Sequence, residues 1–486
     1  MDGSCVLAWR MLFDASPEVV TTYFRSLLQT PDGYSELCVF GRPLSKTSGV
    51  PEAGDVRLIL PLPPVLTIID VLVSKALSSW NSNYFTIPRG VFVGNRPGCQ
   101  CLDVTAGVSL ALEKSMDDGC RTCAAQADIK QYYDSLQPLQ IAKFLLAAGC
   151  PAWIATACVW MQTLTPVQFL FDHIRSPLPA RLTGTLTGTR TAGMLGETVM
   201  LDILLAATAD RLFRPLQLSD ERLFISSWVD NLFVVAGSTM DAIANLEIVE
   251  RIAEEKWSLS FKPTSMSYVT ASGLPNPNIS ARWLFTPAFK TLGHIISHDG
   301  SCDKDVDAAI KAAWGRFWSG PGSKKGKTLP TKLKLRDVNR CCRPAVSYRC
   351  SWWQWSRSIA KRLDRAQRLI VCACLGFRMR PNEVWEDFVR RRARAAAFEC
   401  KHNLWSQHAC SRIVSWYSHA KRNHCASWPG QIFPFHDDLW LRDRRKQCNS
   451  PSIFAGKTGT RLKRGPPRIR FETGLELARE VAEECP

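Results

Sequence analysis

Uninterrupted apolar length is the first thing this chain lacks. A membrane-crossing helix needs roughly 20 apolar residues, and the strongest run, FLLAAGCPAWIATACVW from Phe144 to Trp160, is broken by Gly149 and Pro151 into two shorter helical patterns. A membrane-spanning protein is not expected. The sequence opens without a charged segment leading into an apolar stretch, and its 19 cysteines are an odd number. Both features argue against a secreted disulfide framework and for reduced thiols in an intracellular setting, cytoplasm or nucleus. No internal repeat is visible, so a repeat array is excluded.

Acidic residues are scarce at one end only. Residues 1–300 hold 23 Lys and Arg against 27 Asp and Glu, net −4, whereas residues 301–486 hold 38 against 17, net +21. In the basic part the cations are interleaved with Trp and Tyr, a composition that suits nucleic acid better than a membrane surface. The length of 486 residues and the 46% hydrophobic content predict a largely folded chain of two to four domains.

What is present is a mixture of helical and strand periods. Proline breaks, PLPPVL among them, precede a helical period near Ile69 to Trp80, and the turn GNRPGCQ precedes another from about Thr105 to Met116. RTCAAQADIKQYYDSL reads as a short strand ending at Asp128, with a helix from about Ser135 to Pro138 onward. The Thr- and Gly-rich stretch beginning at Pro179 reads as a hairpin leading into a long helix from about Gly193. ISSWVDNLFVVAG, Ile225 to Gly237, reads as a β-hairpin with an Asp-Asn turn. Thr239 to Glu255 has helical period, FKTLGHIIS reads as a strand, and GPGSKKGKTLP reads as a linker. Helical patterns then run from Thr331 to about Trp416, and the Pro- and Arg-rich tail after Trp428 reads as mobile.

Two acids stand at comparable places, Asp128 at a strand end and Asp230 at a hairpin tip about a hundred residues later. If their strands are neighbours, the carboxylates converge at one sheet edge, the arrangement that holds a pair of Mg²⁺ ions for in-line phosphoryl transfer.

With these acids placed, the chain resembles the reverse transcriptases, most closely those of non-LTR retrotransposons and group II introns. ADIKQYYDSL resembles the family's first acidic motif. That likeness implies a catalytic metal ligand in Asp128, a nucleotide contact at Ile129, and in Tyr133 an aromatic gate beneath the incoming sugar that favours deoxynucleotides. SWVDNLFVV resembles the aromatic-x-Asp-Asp hairpin, which implies the second catalytic metal ligand in Asp230. GRPLSKTSGVPEAGDVRLILPLPPVLTIIDVLVSKAL resembles the fingers motifs, so Lys46 and Arg57 would meet the nucleotide triphosphate. VGNRPGCQ resembles the short fingers turn, with Arg96 and Gly98 at the template. LTGTRTAGMLGETV stands where the family has its Gly-rich motif, which places Arg190 and Gly193 on template or primer. EEKWSLSFKP and FKTLGHIIS resemble the closing palm motif and the primer grip, the latter with Leu292 and Gly293 on the primer strand. LKLRDVNRCCRPAVSYRCSWWQWSRSIAKRLDRAQRLIVCACLG resembles the helical thumb.

The resemblance implies an α+β right-hand polymerase fold around a small antiparallel sheet. Fingers would occupy 1–120, and a palm 121–300 with a fingers insertion near 137–187. A linker and helical thumb would follow over 301–400, and a basic, partly disordered region over 401–486. It implies RNA-directed DNA synthesis by two-metal nucleotidyl transfer. Mg²⁺ is the expected cofactor, with Mn²⁺ as the alternative ion, and the partners are an RNA template, a DNA primer and deoxynucleoside triphosphates. Neither an endonuclease ahead of the fingers nor a ribonuclease H after the thumb is recognisable, as in a partial element.

Departures from the family pattern sustain a second reading, a catalytically inactive nucleic-acid-binding remnant. Asn231 replaces the usual second aspartate and removes a negative charge from a cation site, so weaker metal binding is expected. GTRTAGM lacks the template-contacting glutamine, leaving Arg190 and the backbone of Gly188 and Gly193. Ser265 stands where the closing palm motif has lysine, and Lys262, three residues earlier, is the remaining candidate to meet the leaving pyrophosphate. Zinc is not expected: Cys400, His402, His408, Cys410, His419 and His424 lie close together, but their segment has helical period and no C-x₂-C pair. VRRRARAA, Val389 to Ala396, divides evenly between a solvated face and a phosphate contact, and Trp352, Trp353 and Trp355 read as core.

Overall fold

The computed structural model describes residues 6–432, apart from 36, 46–55, 118–121, 172–173, 178–180, 182, 219–220, 324–325, 327, 402 and 423–426, together with 471–483. The chain is a mixture of helix and sheet. In chain order the strands are β1 Val39–Ser45, β2 Val56–Ile59, β3 Val91–Val93, β4 Cys123–Asp128, β5 Val167–Phe171, β6 Ile174–Pro177, β7 Leu216–Leu218, β8 Glu221–Leu223, β9 Ile225–Trp228, β10 Asn231–Ala236, β11 Ser267–Thr270, β12 Leu284–Phe285, β13 Ala288–Thr291 and β14 His294–Ser297.

The apolar hairpin lies inside a six-stranded sheet of order β12-β11-β4-β10-β9-β3. Its side chains alternate between two cores. On β10, Leu232, Val234 and Ala236 pack with the helices Pro64–Tyr84, Arg190–Thr208 and Thr239–Trp257. Phe233 and Val235 pack on the opposite face with Cys101–Asp117, Asp303–Ser319 and Trp405–Arg422. A strand covered on both faces needs apolar residues at every position, which is why NLFVVA shows no polar alternation. Each buried Leu, Val or Phe among them contributes about 1.5–3 kcal/mol. The sheet is therefore a wall between two cores, and its register is strongly fixed.

The helical periods from Ile69 and from Thr105 fall within Pro64–Tyr84 and Cys101–Asp117, and the broken apolar run forms Pro138–Ala147 and Ala152–Thr163. Ser238 caps Thr239–Trp257 by accepting from Asp241 N at 3.1 Å. Arg190–Thr208 is, among the described residues, the one helix long and apolar enough to cross a membrane, and 67% of its apolar window is buried inside the fold.

Three expectations are corrected. FKTLGHIIS is a hairpin of β13 and β14, not one strand. Leu292 and Gly293 form its turn at φ 45° and 81°, and a Leu-Gly pair carries weak turn signal. The hairpin before the long helix is β5 with β6, upstream of the Thr- and Gly-rich stretch. Thr185 to Thr189 is a loop, and the helix starts at Arg190, three residues before Gly193. The tail after Trp428 contains the helix Phe471–Glu483. It packs on Trp405–Arg422 through buried Leu475 and Ala478, with the Arg479 guanidinium 5.1 Å from the Tyr417 ring. RDRRKQ and KTGTRLKRGPPRIR lie outside the described residues.

Candidate active site

β4 and β10 are antiparallel neighbours with Asn231 directly opposite Asp128. That register sets the last residue of β4 beside the hairpin tip. The two-residue turn is Val229-Asp230, one residue earlier than expected, because Asn231 already pairs with Trp228 in the ladder. Val229 takes φ 58°, a costly conformation for a β-branched residue that the flanking strands hold in place.

The carboxyl groups of Asp128 and Asp230 lie side by side, close enough for each to shift the other's protonation. Burial first, and the Asp230 charge second, push Asp128 up to about 7, against the pull of the Lys262 ammonium. Burial raises Asp230 too, but hydrogen bonds from its own backbone, Asp128 and Asn231, with the Lys262 charge, restrain it. Two desolvated acids this close do not both ionise readily, so the pair holds a proton above the ordinary carboxyl range. Asp128 Oδ1 is buried without a hydrogen-bond partner.

The backbone around the pair is fully engaged. Asp128 N donates to Ser265 Oγ at 2.9 Å, Lys262 N to Asp128 O at 2.7 Å, and Ile129 N to Asp230 O at 3.0 Å. Ile129 itself is buried, so its amide and side chain both serve the fold. Asn231 Nδ2 donates to Asp230 Oδ1 at 3.1 Å. Lys262, exposed and charged beside both acids, belongs to the site.

Past Asp128 the chain turns at Gln131, φ 48°, into the short helix Tyr132–Ser135. Buried Tyr132 donates its hydroxyl to Gly196 O. A Cβ on Gly196 would stand 3.1 Å from the Tyr132 ring and 3.2 Å from the Tyr133 ring, so glycine lets both rings close on that helix. Burial and then Asp230 push the Tyr133 hydroxyl up to about 12, which keeps it protonated. Tyr133 also borders a cavity of about 480 Å³ lined by Lys75, Asn95, Arg190 and Gly193.

The other expected residues divide. Arg96 Nε lies 3.2 Å from Glu197 Oε1, so its guanidinium is tied to the helix Arg190–Thr208. Burial pushes Glu197 up to about 7 against that pairing. Gly98 has φ 83° and open space where a Cβ would point. Lys46 and the Arg57 side chain lie outside the described residues, although Arg57 pairs with Leu44 between β2 and β1. At the β13–β14 turn, Tyr348 donates its hydroxyl to Leu292 O at 2.8 Å, and a Cβ on Gly293 would meet the Tyr348 ring at 2.8 Å. Trp352, Trp353 and Trp355 are buried, and Trp353 Nε1 donates to Asp305 Oδ2 at 2.9 Å. Cys400 packs with Val371 and Cys372, while Cys410 belongs to the second core. His402 and His424 lie outside the described residues. In VRRRARAA, Arg391 makes two 2.7 Å bonds to Glu383, and Arg390 faces Glu386 and Asp387.

No family model matches this chain, and no curated protein does. Among solved structures, apo telomerase from Candida tropicalis truncated from its C-terminal domain is similar at TM-score 0.36 and 9% identity, covering 54% of this chain and 54% of that one. Telomerase from Candida albicans in complex with a TWJ fragment of telomeric RNA is similar at TM-score 0.41 and 10% identity, covering 85% and 69%. Apo telomerase from Candida tropicalis is similar at TM-score 0.40 and 9% identity, covering 78% and 63%. The chain spans about half the length of the first of these. Likenesses this distant decide neither family nor activity.

Three residues of this region escaped the sequence reading, and a fourth, Ser265, entered it only as the replacement of a lysine. Ser265 fixes the end of β4, Glu197 anchors Arg96, Asp70 holds the start of Arg190–Thr208, and Lys75 faces the cavity. Asp70 in TIIDVLV is the single acid of its apolar helix, and Glu197 in MLGETVM is one of two in its own. Such a residue signals a buried carboxylate with dedicated partners.

Proposed function

We propose that this chain is an RNA-directed DNA polymerase of non-LTR reverse transcriptase type, which extends a DNA primer on an RNA template with deoxynucleoside triphosphates. The observation that carries the reading is the contact of Asp128 with Asp230 across β4 and β10, at the end of a rigid sheet and beside a cation-lined cavity. In this reading the six-stranded sheet is the palm, the segment before it supplies fingers, and the helices after Asp303 form the thumb.

The donor set fits a divalent cation. Two desolvated carboxyl groups side by side, with Asp128 Oδ1 unpartnered, offer oxygen donors of the kind Mg²⁺ or Mn²⁺ prefers. When bound, such ions would supply Lewis-acid activation of a primer hydroxyl and neutralisation of triphosphate charge. Asp128 and Asp230 would hold them. Lys262 would place its ammonium at the leaving pyrophosphate, as a charge and a proton donor. Tyr133, its ring braced by Gly196, would close the space beneath the incoming sugar. Ser265 and Ile129 would keep Asp128 in register with Asp230.

One observation favours the second reading, a nucleic-acid-binding protein without catalysis. The Asn231 amide points an N–H at Asp230 Oδ1, so one oxygen of the pair faces a donor where the family pattern has another carboxylate. Primer extension on an RNA template separates the two. The polymerase reading requires deoxynucleotide- and Mg²⁺-dependent products that Asp128→Asn and Asp230→Asn both abolish. Template binding without product at any Mg²⁺ or Mn²⁺ concentration would establish the second.

A further inference from the structure

Past the end of β4 the sheet gains one more antiparallel pair. Ile129 faces Phe261, flanked by the bonds from Lys262 N to Asp128 O at 2.7 Å and from Lys130 N to Ser260 O at 2.9 Å. In such a pair the two residues turn their own N–H groups outward. Ile129 N donates to Asp230 O at 3.0 Å, into the hairpin. Phe261 N points the other way, where no further strand among the described residues pairs with it. It donates instead at 3.2 Å to Glu250 Oε1 of the helix Thr239–Trp257. An acid side chain takes the part of the next strand's carbonyl.

Glu250 is 8% exposed, and its charge is met by the guanidinium of Arg282, which lies in the connection between β11 and β12. Trp283, next in that connection, is buried and donates Nε1 to Glu247 Oε1 at 3.3 Å, one turn earlier on the same helix. A carboxylate is costly to bury unless it is paired and hydrogen-bonded. Glu250 is both, and it joins the β11–β12 connection to the backbone that carries Lys262.

Fixing Phe261 fixes Lys262. Along an extended segment neighbouring side chains point to opposite faces. Phe261 is buried in the core that holds Leu232 and Val234, so Lys262 is exposed on the side of the two acids. Ser265 Oγ accepts from Asp128 N at 2.9 Å and donates to Lys262 O at 2.7 Å, which closes the turn after Lys262. A shift of one residue would exchange the two faces.

We propose that Glu250 is a positioning residue that stands in for a strand at Phe261 N, with Arg282 as its counter-charge, and so sets the register that turns Lys262 towards Asp128 and Asp230. That Lys262 then meets a leaving pyrophosphate rests on the polymerase reading; the register does not.

Amide hydrogen exchange of the full chain without nucleic acid, nucleotide or divalent ion, paired with steady-state primer extension, tests this. Glu250→Met keeps the side-chain volume and removes the acceptor, whereas Glu250→Gln keeps a carbonyl oxygen for Phe261 N. Glu250→Met is expected to speed exchange at Phe261 and Lys262 about ten-fold while β10 stays protected, and Glu250→Gln to retain most of the protection. In extension, Glu250→Met is expected to lower kcat about ten-fold with the deoxynucleotide KM unchanged, and to add nothing in a Lys262→Ala background. Equal losses in both backgrounds would make Glu250 a structural residue only and overturn the assignment. Unchanged exchange at Phe261 and Lys262 in Glu250→Met would overturn it too, and if that variant does not fold, a folded Glu250→Gln that loses the local protection does the same. A chain that extends no primer yet shows the local exchange keeps this inference and loses the polymerase. An extending chain whose exchange at Phe261 and Lys262 ignores Glu250 does the reverse.

Discussion

Asn231 stands directly across the sheet from Asp128 and donates its side-chain amide to Asp230 at 3.1 Å. One side chain therefore both stabilises the ion-free pair and occupies an oxygen that a cation would use. Replacing it separates those effects. Asn231→Asp is expected to lower the melting temperature without divalent ions, because a third carboxylate adds repulsion and removes a donor. It should also lower the Mg²⁺ concentration needed for primer extension. Thermal melts with and without Mg²⁺, beside extension assays, check both; a variant melting lower in both conditions would remove Asn231 from the cation site.

Ser265 supports Asp128 through the backbone. Ser265→Ala leaves Asp128 N without its 2.9 Å acceptor and is expected to cost about 1 kcal/mol in urea unfolding. Extension should fall by more than that stability loss explains, since the end of β4 loosens where the acid must be placed. Activity that tracks the folded fraction alone would make Ser265 a structural residue only.

Two carboxyl groups lie at about 7 when folded, Asp128 and Glu197, against ordinary values of 3.8 and 4.5. Both folded values are raised, so their stabilising contribution is complete below the ordinary values and is lost as pH rises through about 7. The ion-free protein should thus lose stability as pH rises from the ordinary carboxyl range to about 7, with no further loss from these two groups above it. Glu197→Gln should remove part of that slope, and Mg²⁺ should remove another part by binding the ionised pair, with a larger thermal shift above pH 7 than below it. A Mg²⁺ shift independent of pH would contradict the raised value of Asp128.

The basic helices should bind polyanions unequally. Arg365, Arg368 and Arg394 are exposed, whereas Arg391 is committed to Glu383 at 2.7 Å. Neutralising the exposed three should flatten the salt dependence of duplex binding by about one for each phosphate that an arginine no longer pairs with. Arg391→Ala should instead lower the melting temperature and leave that slope unchanged.

Much of the site was legible because strand chemistry is local. Asp128 ends a run of small residues and Asp230 tips an apolar hairpin, and one register brings them together. The turn was misplaced by one residue because Asp-Asn is the better turn former, yet the fully covered β10 claims Asn231 for the ladder and leaves Val229 at φ 58°. The partners that position the acids were not legible. Ser265 reaches Asp128 across 137 residues and Asp70 reaches Arg190 across 120, and no periodicity encodes a pairing of that span. The helix Phe471–Glu483 was hidden by the Pro- and Arg-rich composition just before it.

Anomalous scattering from crystals of the protein soaked in Mn²⁺ tests most directly whether the two acids are a metal site. A peak within coordination distance of both the Asp128 and Asp230 carboxylates is the expected result. A map in which Mn²⁺ binds elsewhere and leaves Asp128 and Asp230 without an ion would contradict a catalytic role for the pair.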